Sequence, residues 1–246
     1  MNAVGPVGQA LLDEIRLRKF WKKVLRTERA SIISYLPLRE ASGSVASDLS
    51  GNGRNGAYTN VTLGQPGIGD GWTSGLFDGS TSYVNWHSAA LAAAFNGAEG
   101  ALLICAKAAN AGVWTDASTD RFVWLQEDGS NFVFQQKAGA SNSVTLGYYA
   151  GAVGKEVTKS SFSPSGWFNL ALTWSALGDE VGVYVNGVLE GPGLTGLGTW
   201  AGALASTTTI IGAQNTGVAT PTNGFLAHCA LWSKALTPAQ VASLKV

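Results

Sequence analysis

The stretch GWFNLALTW at residues 166–174 decides the fold, together with VYVNGVL at residues 183–189. Large apolar side chains occupy every second position from residue 168 to residue 174, which is the period of a β-strand with one buried face. In the second stretch, Asn186-Gly187 interrupts a run of β-branched and aromatic residues. This dipeptide favours a two-residue hairpin turn, because both residues adopt a positive φ at low cost. The two stretches therefore predict an antiparallel hairpin.

The same period recurs along most of the chain after residue 31. Turns rich in Gly, Asn, Asp and Ser separate the apolar runs, and no long helices alternate with them, so the pattern is typical of an antiparallel sandwich. The predicted strands are 31–38, 82–86, 100–107, 121–126, 131–136, 143–149, 168–174, 180–186, 207–212 and 225–232. Thr237 and Pro238 predict a short terminal helix to Leu244, since Thr is a good N-cap and Pro fits the first turn.

Charge divides the chain into two parts. The 246 residues carry 16 basic and 16 acidic side chains, and 46% are hydrophobic, which argues against a disordered chain and against a dedicated nucleic-acid binder. Residues 1–30 hold seven basic and three acidic residues, whereas residues 31–246 hold nine and thirteen. We therefore predict a basic helical arm at 1–30 and a β-sandwich at 31–246.

The arm has the pattern of an amphipathic helix, with neither glycine nor proline between residues 9 and 29. Its apolar stripe, the predicted partner-docking surface, consists of Leu17, Phe20, Trp21, Val24 and Leu25. Its basic face consists of Lys19, Lys22, Lys23 and Arg26. Three interpretations fit this pattern: a helix that caps its own β domain, an arm that docks on a larger assembly or on sister subunits, and a contact with a membrane surface or nucleic acid.

Several segments, in chain order, resemble the laminin-G-like branch of the concanavalin-A-like lectin and glucanase superfamily. They are YLPL at 35–38 followed by DLSGNGRNG at 48–56, FDG at 77–79 with YV at 83–84, GWFNLALTW at 166–174, VYVNG at 183–187, and the closing segment 224–236. The resemblance covers about residues 31–246. It implies an all-β concanavalin-A-like antiparallel jelly-roll sandwich, preceded here by the helical arm.

The resemblance also suggests two further properties. Many laminin-G-like domains bind calcium, and the residues that could supply oxygen ligands here are Asp48, Asn52 and Asp70. Turn chemistry is the competing explanation for the loop at 48–56, since short polar side chains hold such loops by bonding nearby backbone amides. Similar domains also occur in bacteriophage structural proteins. In the closing segment, however, Ala227-His228 stands where the family has Asp-Glu.

The sequence contains no pattern that predicts catalysis. Glycoside hydrolysis needs paired carboxylates, and the E-x-D-x-x-E strand of the glucanases is missing. A G-x-S-x-G nucleophile elbow, a zinc-ligand spacing and a phosphate-binding loop are also missing. We therefore predict a non-enzymatic protein without a cofactor, apart from the calcium candidates.

A carbohydrate site would need exposed aromatic side chains with polar neighbours. The candidates for such a platform lie near predicted loops and strand ends: Trp72, Trp86, His87, Trp114 and Trp200. The competing interpretation for each is a place in the core. Cys105 and Cys229 lie in separate apolar segments and are interpreted as buried small hydrophobes rather than a disulfide.

These observations lead to two functional hypotheses. The first is a structural or decoration protein of a large assembly, a bacteriophage virion above all, with the arm docked on a capsid protein, another virion protein or a sister subunit. The second is a lectin-like module for cell-surface glycans. The sequence shows no secretory signal and no apolar run long enough for a membrane span, so we expect synthesis in a host cytoplasm and, under the first hypothesis, a place in the virion.

Overall fold

The computed structural model describes residues 20–139 and 142–246, and within them two antiparallel sheets of eight strands each stack face to face. The first sheet contains β1 (Ile32–Leu36), β4 (Thr62–Pro66), β5 (Thr73–Asp78), β7 (Glu99–Ala108), β12 (Phe168–Ser175), β13 (Glu180–Val185), β14 (Val188–Leu189) and β16 (Asn223–Trp232). The second sheet contains β2 (Val45–Ala46), β3 (Gly56–Thr59), β6 (Tyr83–Asn85), β8 (Asp120–Asp128), β9 (Asn131–Lys137), β10 (Val144–Ala150), β11 (Val153–Lys159) and β15 (Thr209–Ile211). The predicted all-β sandwich is confirmed.

The strand order places sequence neighbours side by side at one end of each sheet. The first sheet runs β14-β13-β12-β7-β16-β5-β4, with β1 also paired to β16, and the second runs β11-β10-β9-β8-β15-β6-β3-β2. The predicted hairpin joins β12 to β13, with Leu170 opposite Val185. Asn186 and Gly187 follow with φ of 50° and 75°, as the turn signal requires.

All ten predicted strands are present, but six further strands were not predicted. Three of the missed strands, β2, β3 and β14, have four residues or fewer, so they carry too little sequence to show a period. β11 was missed because it is an edge strand of mostly exposed or half-exposed residues, which lacks the alternation of a half-buried strand. β4 and β5 were the remaining omissions.

The main core lies between the two sheets and contains the largest apolar side chains. Trp86, Trp174 and Tyr148 are almost fully buried there. Cys105 and Cys229 are also buried and do not form a disulfide, as predicted, and burial raises the pKa of both thiols well above the usual value. These thiols therefore stay protonated at neutral pH.

Short helices cover the outer face of the first sheet. They are α1 (Phe20–Arg26) and α3 (Pro238–Ser243), while α2 (Ala89–Ala94) follows β6. Thr237 and Gln240 form a capping box at the start of α3, so the predicted terminal helix and its cap are confirmed. None of the described helices is long and apolar enough to cross a membrane.

The apolar stripe of the arm packs on its own sheet rather than pointing outward. Phe20 and Val24 are 1% and 0% exposed and belong to a cluster on the outer face of the first sheet. Trp21 and Leu25 are half-buried against the same cluster. The predicted docking role of Phe20 and Val24 is therefore wrong, because a partner cannot reach them while the helix lies on its sheet.

The rest of the predicted docking set falls into two groups. Leu17 and Lys19 lie outside the described residues. Lys22 and Arg26 are exposed and Lys23 is half-exposed, so a basic face of α1 does point to solvent. The most exposed side chains of the described part of the helix are therefore basic.

The central strand β16 changes its partner halfway along one edge. Gly224 pairs with Phe77 of β5 and Ala230 with Tyr35 of β1, while the other edge stays with β7. The register shifts between Ala227 and Ala230, and His228 adopts a φ of 53° there. Such a conformation is costly for a residue other than glycine and persists only where the surroundings enforce it.

The surroundings of His228 are a buried polar cluster. Its Nδ1 lies 2.5 Å from the Tyr35 hydroxyl, and its Nε2 lies 3.1 Å from Asp70 Oδ2. The ring of Phe20 contacts the imidazole edge-on at 4.9 Å between centroids. The Tyr35 hydroxyl and the Asp70 carboxylate thus lie on opposite sides of the buried ring.

We expect Phe20→Ala to lower the free energy of unfolding by about 3–5 kcal/mol, because it opens a cavity over the first sheet. Urea denaturation followed by tryptophan fluorescence measures the change. Lys22→Ala is the matched control on the exposed face of α1 and should change stability by less than about 0.5 kcal/mol. Equal stability of the two variants would contradict the packing of α1 on the sheet.

Candidate functional site

A face rich in aromatic residues lies on the outer side of the second sheet, where β8 to β11 are adjacent. Alternate residues of these strands, such as Leu125, Val133 and Leu146, point into the core, so the residues between them point outward. We name this surface the outer aromatic face. Its twelve positions are Arg121, Trp124, Gln126, Phe132, Phe134, Gln136, Thr145, Gly147, Tyr149, Gly154, Glu156 and Thr158.

The register of the four strands brings these residues together in rows. One row joins Arg121, Gln136, Thr145 and Thr158. The next joins Trp124, Phe134, Gly147 and Glu156. The third row joins Gln126, Phe132, Tyr149 and Gly154, in the order of the strands β8 to β11. Residues up to 37 positions apart in the sequence thus share one surface.

The aromatic rings of this face stack across the strands. The ring centroids of Trp124 and Phe132 are 4.8 Å apart, with an interplanar angle of 20°. Those of Phe132 and Tyr149 are 4.3 Å apart, with an angle of 12°. Phe132 and Tyr149 are half-exposed, whereas Trp124 and Phe134 are 4% exposed. Trp124 and Phe134 therefore form the base of the surface, and Phe132 and Tyr149 its accessible part.

Two glycines make room for this arrangement. A Cβ at Gly147 would lie 2.5 Å from the ring of Phe134, and a Cβ at Gly154 would lie 2.3 Å from the ring of Tyr149. Both distances are far below van der Waals contact, so the rings lie over backbone that has no side chain. Any larger residue at either position would displace the ring above it.

Arg121 lies at one end of the aromatic row, and its guanidinium forms no hydrogen bond or ion pair with the described residues. Its guanidinium carbon lies 4.4 Å from the centroid of Trp124 and 5.2 Å from that of Phe134. Burial lowers the pKa of Arg121 to about 10 and nearby Glu156 opposes the shift, so the side chain is a cation at neutral pH. Within the described chain, Arg121 Nε and Gln136 Oε1 are buried without a hydrogen-bond partner.

The opposite side of the face, on β11, carries the carboxylate of Glu156, which already accepts a hydrogen bond within the protein. Tyr149 donates a hydrogen bond of 3.1 Å from its hydroxyl to Glu156, and burial, followed by this carboxylate, raises the pKa of Tyr149. The hydroxyls of Thr145 and Thr158 are 2.8 Å apart. The face thus has one cation and one carboxylate, on β8 and β11, with neutral polar groups between them.

An ion pair between buried Lys137 and exposed Asp116 fixes the loop before β8 and so helps to place Arg121. Lys137 is fully buried, and its ammonium lies 2.5 Å from Asp116 Oδ1 and 2.7 Å from the carbonyl of Ser118. Burial acts to raise the pKa of Asp116, but hydrogen bonds from Lys137 and Ser118 outweigh it and hold that pKa below the usual value. Asp120, the first residue of β8, accepts a hydrogen bond from the backbone of Asn223.

Two predicted platform residues belong to the core. Trp86 is 0% exposed and donates a hydrogen bond of 3.0 Å to Ser34 Oγ. Trp114 is 2% exposed and contacts Phe162 edge-on. Their predicted role as a glycan platform is wrong. The period of two could have shown it for Trp86, which lies two positions after inward-pointing Val84.

Trp72 is half-buried on the side of the molecule that carries α1. Its ring stacks on Trp21 at 5.2 Å and on His228 at 5.9 Å, and the guanidinium of Arg39 lies 4.2 Å from its centroid. Trp72 therefore joins α1 to the polar cluster beneath the helix. It is not placed with the other predicted platform residues.

Trp200 and His87 complete the predicted platform. Trp200 is half-buried, with its ring over Gly97 and 5.2 Å from the ring of Phe95. His87 is half-buried after β6. The structure therefore does not gather the five predicted residues into one surface, and the aromatic residues that it does gather were not predicted.

The predicted calcium ligands have protein partners. Asp48 accepts hydrogen bonds from the backbone amides of Tyr35, Ser50 and Arg54. Asn52 donates to the carbonyls of Ile32 and Ile33, and Asp70 contacts His228. Among the described residues, no three His, Cys, Asp or Glu side chains form a group that could hold a metal ion. The loop at 48–56 is thus held by turn chemistry, which was the competing explanation.

The chain belongs to the concanavalin A-like lectin/glucanases superfamily. The laminin G-type sequence profile with this description matches residues 78–242, which is more than half of the chain. No match to a curated protein was found by sequence. The membership agrees with the stacked antiparallel sheets.

Solved structures share the fold at low identity. One is Trypanosoma rangeli sialidase in complex with sialic acid, with a TM-score of 0.66 and 14% identity over 98% of this chain and 39% of that chain. Another is domain 4 of AbnA, an extracellular arabinanase from Geobacillus stearothermophilus, in complex with arabinotriose, with a TM-score of 0.58 and 18% identity over 88% of this chain and 98% of that one. This chain spans about two fifths of the sialidase's length.

We expect Asp48→Ala to destabilise the protein by about 1–3 kcal/mol in the presence of EDTA, because three backbone donors lose their charged acceptor. Thermal unfolding with EDTA and with calcium measures the effect. The unaltered protein should show the same Tm in both buffers. A calcium-dependent rise in Tm that Asp48→Ala abolishes would contradict a purely structural loop.

Proposed function

We propose that this protein is a non-catalytic carbohydrate-binding module that holds a short saccharide on the outer aromatic face. The observation that carries the proposal is the stacked row of Trp124, Phe132 and Tyr149, which ends beside the unpartnered groups of Arg121 and Gln136. Neither feature serves the core, which lies on the other side of the sheet.

The chemistry of this face matches that of a sugar. A sugar ring has an apolar C–H surface and a rim of hydroxyls, so it needs apolar aromatic area together with a few placed polar groups. Half-exposed Phe132 and Tyr149 supply the area. Arg121 supplies a cation at the end of this area, and the neutral side chain of Gln136 lies opposite it.

The comparisons give general support. Two proteins with this fold were solved in complex with a saccharide, sialic acid in one and arabinotriose in the other. At 14% and 18% identity they support the fold, and the choice of the outer aromatic face rests on the residues of this chain.

The proposal that binding is not followed by catalysis rests on the carboxylates. Hydrolysis of a glycosidic bond uses two carboxyl groups about 5–9.5 Å apart. The outer aromatic face contains one, Glu156, and that side chain is engaged by Tyr149. A saccharide on this face would therefore lie near one carboxylate, Glu156, and not between the two carboxyl groups that hydrolysis uses.

We expect Phe132→Ala to weaken saccharide binding about tenfold or more, since it removes the middle of the stacked row. A glycan array would identify ligands, and isothermal titration calorimetry would measure their Kd. Phe225→Ala is the matched control, because Phe225 is also half-exposed but lies on β16 of the first sheet. Equal losses in both variants, or no saccharide bound by the unaltered protein, would contradict the proposal.

A structural module of a large assembly, such as a bacteriophage virion, is the second proposal. The observation in its favour is the basic exposed face of α1, with Lys22 and Arg26 turned to solvent. A docked arm would then meet an acidic partner surface through charge. It would not use Phe20 and Val24, which hold the helix to its own sheet.

If α1 docks on a sister subunit, the protein should form oligomers in solution, and Lys22→Glu with Arg26→Glu should shift them toward monomer. Light scattering measures the mass, and raised salt should act in the same direction because exposed charges are screened. Lys234→Glu with Lys245→Glu is the control, since both residues are exposed but lie outside α1. A monomeric unaltered protein would contradict self-assembly through the arm.

A further inference from the structure

We propose that the outer aromatic face selects sugars that carry a carboxylate, and that Arg121 is the residue that recognises the acid. This inference rests on the proposed function and names its ligand class. It follows from the position of the guanidinium, from the absence of an ion pair to it among the described residues, and from the distribution of charge over the face.

The guanidinium of Arg121 is held by aromatic rings instead of by a carboxylate. It lies over Trp124 at 4.4 Å and near Phe134 at 5.2 Å. In the described chain its side chain forms no ion pair, and its Nε is buried without an acceptor. A partly buried arginine normally satisfies its donors with a carboxylate or carbonyl group, because leaving a charged donor unpaired costs free energy.

Stacking on the rings keeps this arginine available for an acid. The five N–H donors of a guanidinium point outward in its own plane, so contact with an aromatic face leaves them able to bond. Their fork matches the two oxygens of a carboxylate, which gives short, strong paired hydrogen bonds. Trp124 thus positions the cation without using its donors.

The other charged groups of the face favour one orientation of the ligand. Among the twelve positions, Arg121 is the only cation and Glu156 the only carboxylate. Their strands, β8 and β11, are separated by β9 and β10, and the two side chains form no ion pair, although Glu156 is near enough to act on the pKa of Arg121. An acidic group would therefore bind near Arg121, and its neutral neighbours in the saccharide would extend over Phe132 and Tyr149 toward Glu156.

Nearby lysines do not compete for this role. Lys137, next to Gln136 in the chain, is fully buried and paired with Asp116 on the inner side of the strand. Lys159, next to Thr158, is paired with Glu190 at 3.0 Å. Gln136 lies directly opposite Arg121, so the neighbour of the guanidinium on the next strand is a neutral amide and not a second charge.

The test compares sugars that differ only in charge. Calorimetry at low salt would measure the binding of trigalacturonate and of its methyl ester, and of sialyllactose and of its methyl ester, to the protein. We expect the acid of at least one pair to bind about tenfold or more tightly than its neutral partner. Arg121→Gln should remove this preference, so that the acid binds no more tightly than its neutral partner.

Lys107→Gln is the matched control, because the ammonium of Lys107 also lies over an aromatic ring, that of Phe225 at 5.5 Å, but on the first sheet. It should leave the preference intact. Arg121→Lys keeps the charge without the fork and should retain only part of the preference. Thermal unfolding of each variant would show whether it is folded, and Arg121→Lys keeps the test decisive if Arg121→Gln is not.

The outcomes separate this inference from the proposed function. Equal affinity for acidic and neutral sugars, with loss of both in Phe132→Ala, would overturn the inference and leave the proposed function standing. Binding of lactose sulfate, which carries no carboxylate, without binding of either acidic sugar would show that the anion is not a carboxylate and would overturn the inference. If no saccharide binds, both proposals fail. A preference for trigalacturonate or for sialyllactose would support the inference and identify which kind of acid is recognised.

Discussion

The structure depends on a limit that applies to every β-strand: at any one position, each edge of the strand can form backbone hydrogen bonds with only one neighbouring strand. β16 must hold β5 and β1 along the same edge while β7 occupies the other. The exchange of partners requires a break in the ladder, and His228 adopts its positive φ at that break. The imidazole that results is buried, so it needs polar partners, and Tyr35 and Asp70 supply them.

That arrangement also determines which surfaces of the sandwich are covered. Phe20 packs against the imidazole and Trp72 stacks on it, so α1 lies on the outer face of the first sheet with its basic side outward. The second sheet presents different chemistry on its outer face. There, glycines on β10 and β11 let rings from neighbouring strands lie over the backbone, and a row of aromatic residues occupies a surface that needs none for the core.

The sandwich could be predicted from the sequence because a strand with one buried face has an apolar side chain at every second residue. The sequence predicted the candidate site poorly for two physical reasons. The outer aromatic face joins residues from four strands, and only the register brings them together. In addition, a bulge at Phe122 places Arg121 and Trp124 on the same face although they are three positions apart, which breaks the period. The apolar stripe of α1 was recognised, but its pattern could not say which surface it covers.

The attachment of α1 to the last strand has a consequence for the order of folding during synthesis. Trp232 donates a hydrogen bond from its indole to the carbonyl of Thr27, 205 positions earlier, and Gln240 donates to Glu28. A ribosome adds about 5–20 residues per second, so α1 emerges roughly 10–40 seconds before the strand on which it packs. During that interval Phe20 and Val24 lack the sheet surface on which they pack, and they remain accessible to factors that bind nascent amphipathic helices.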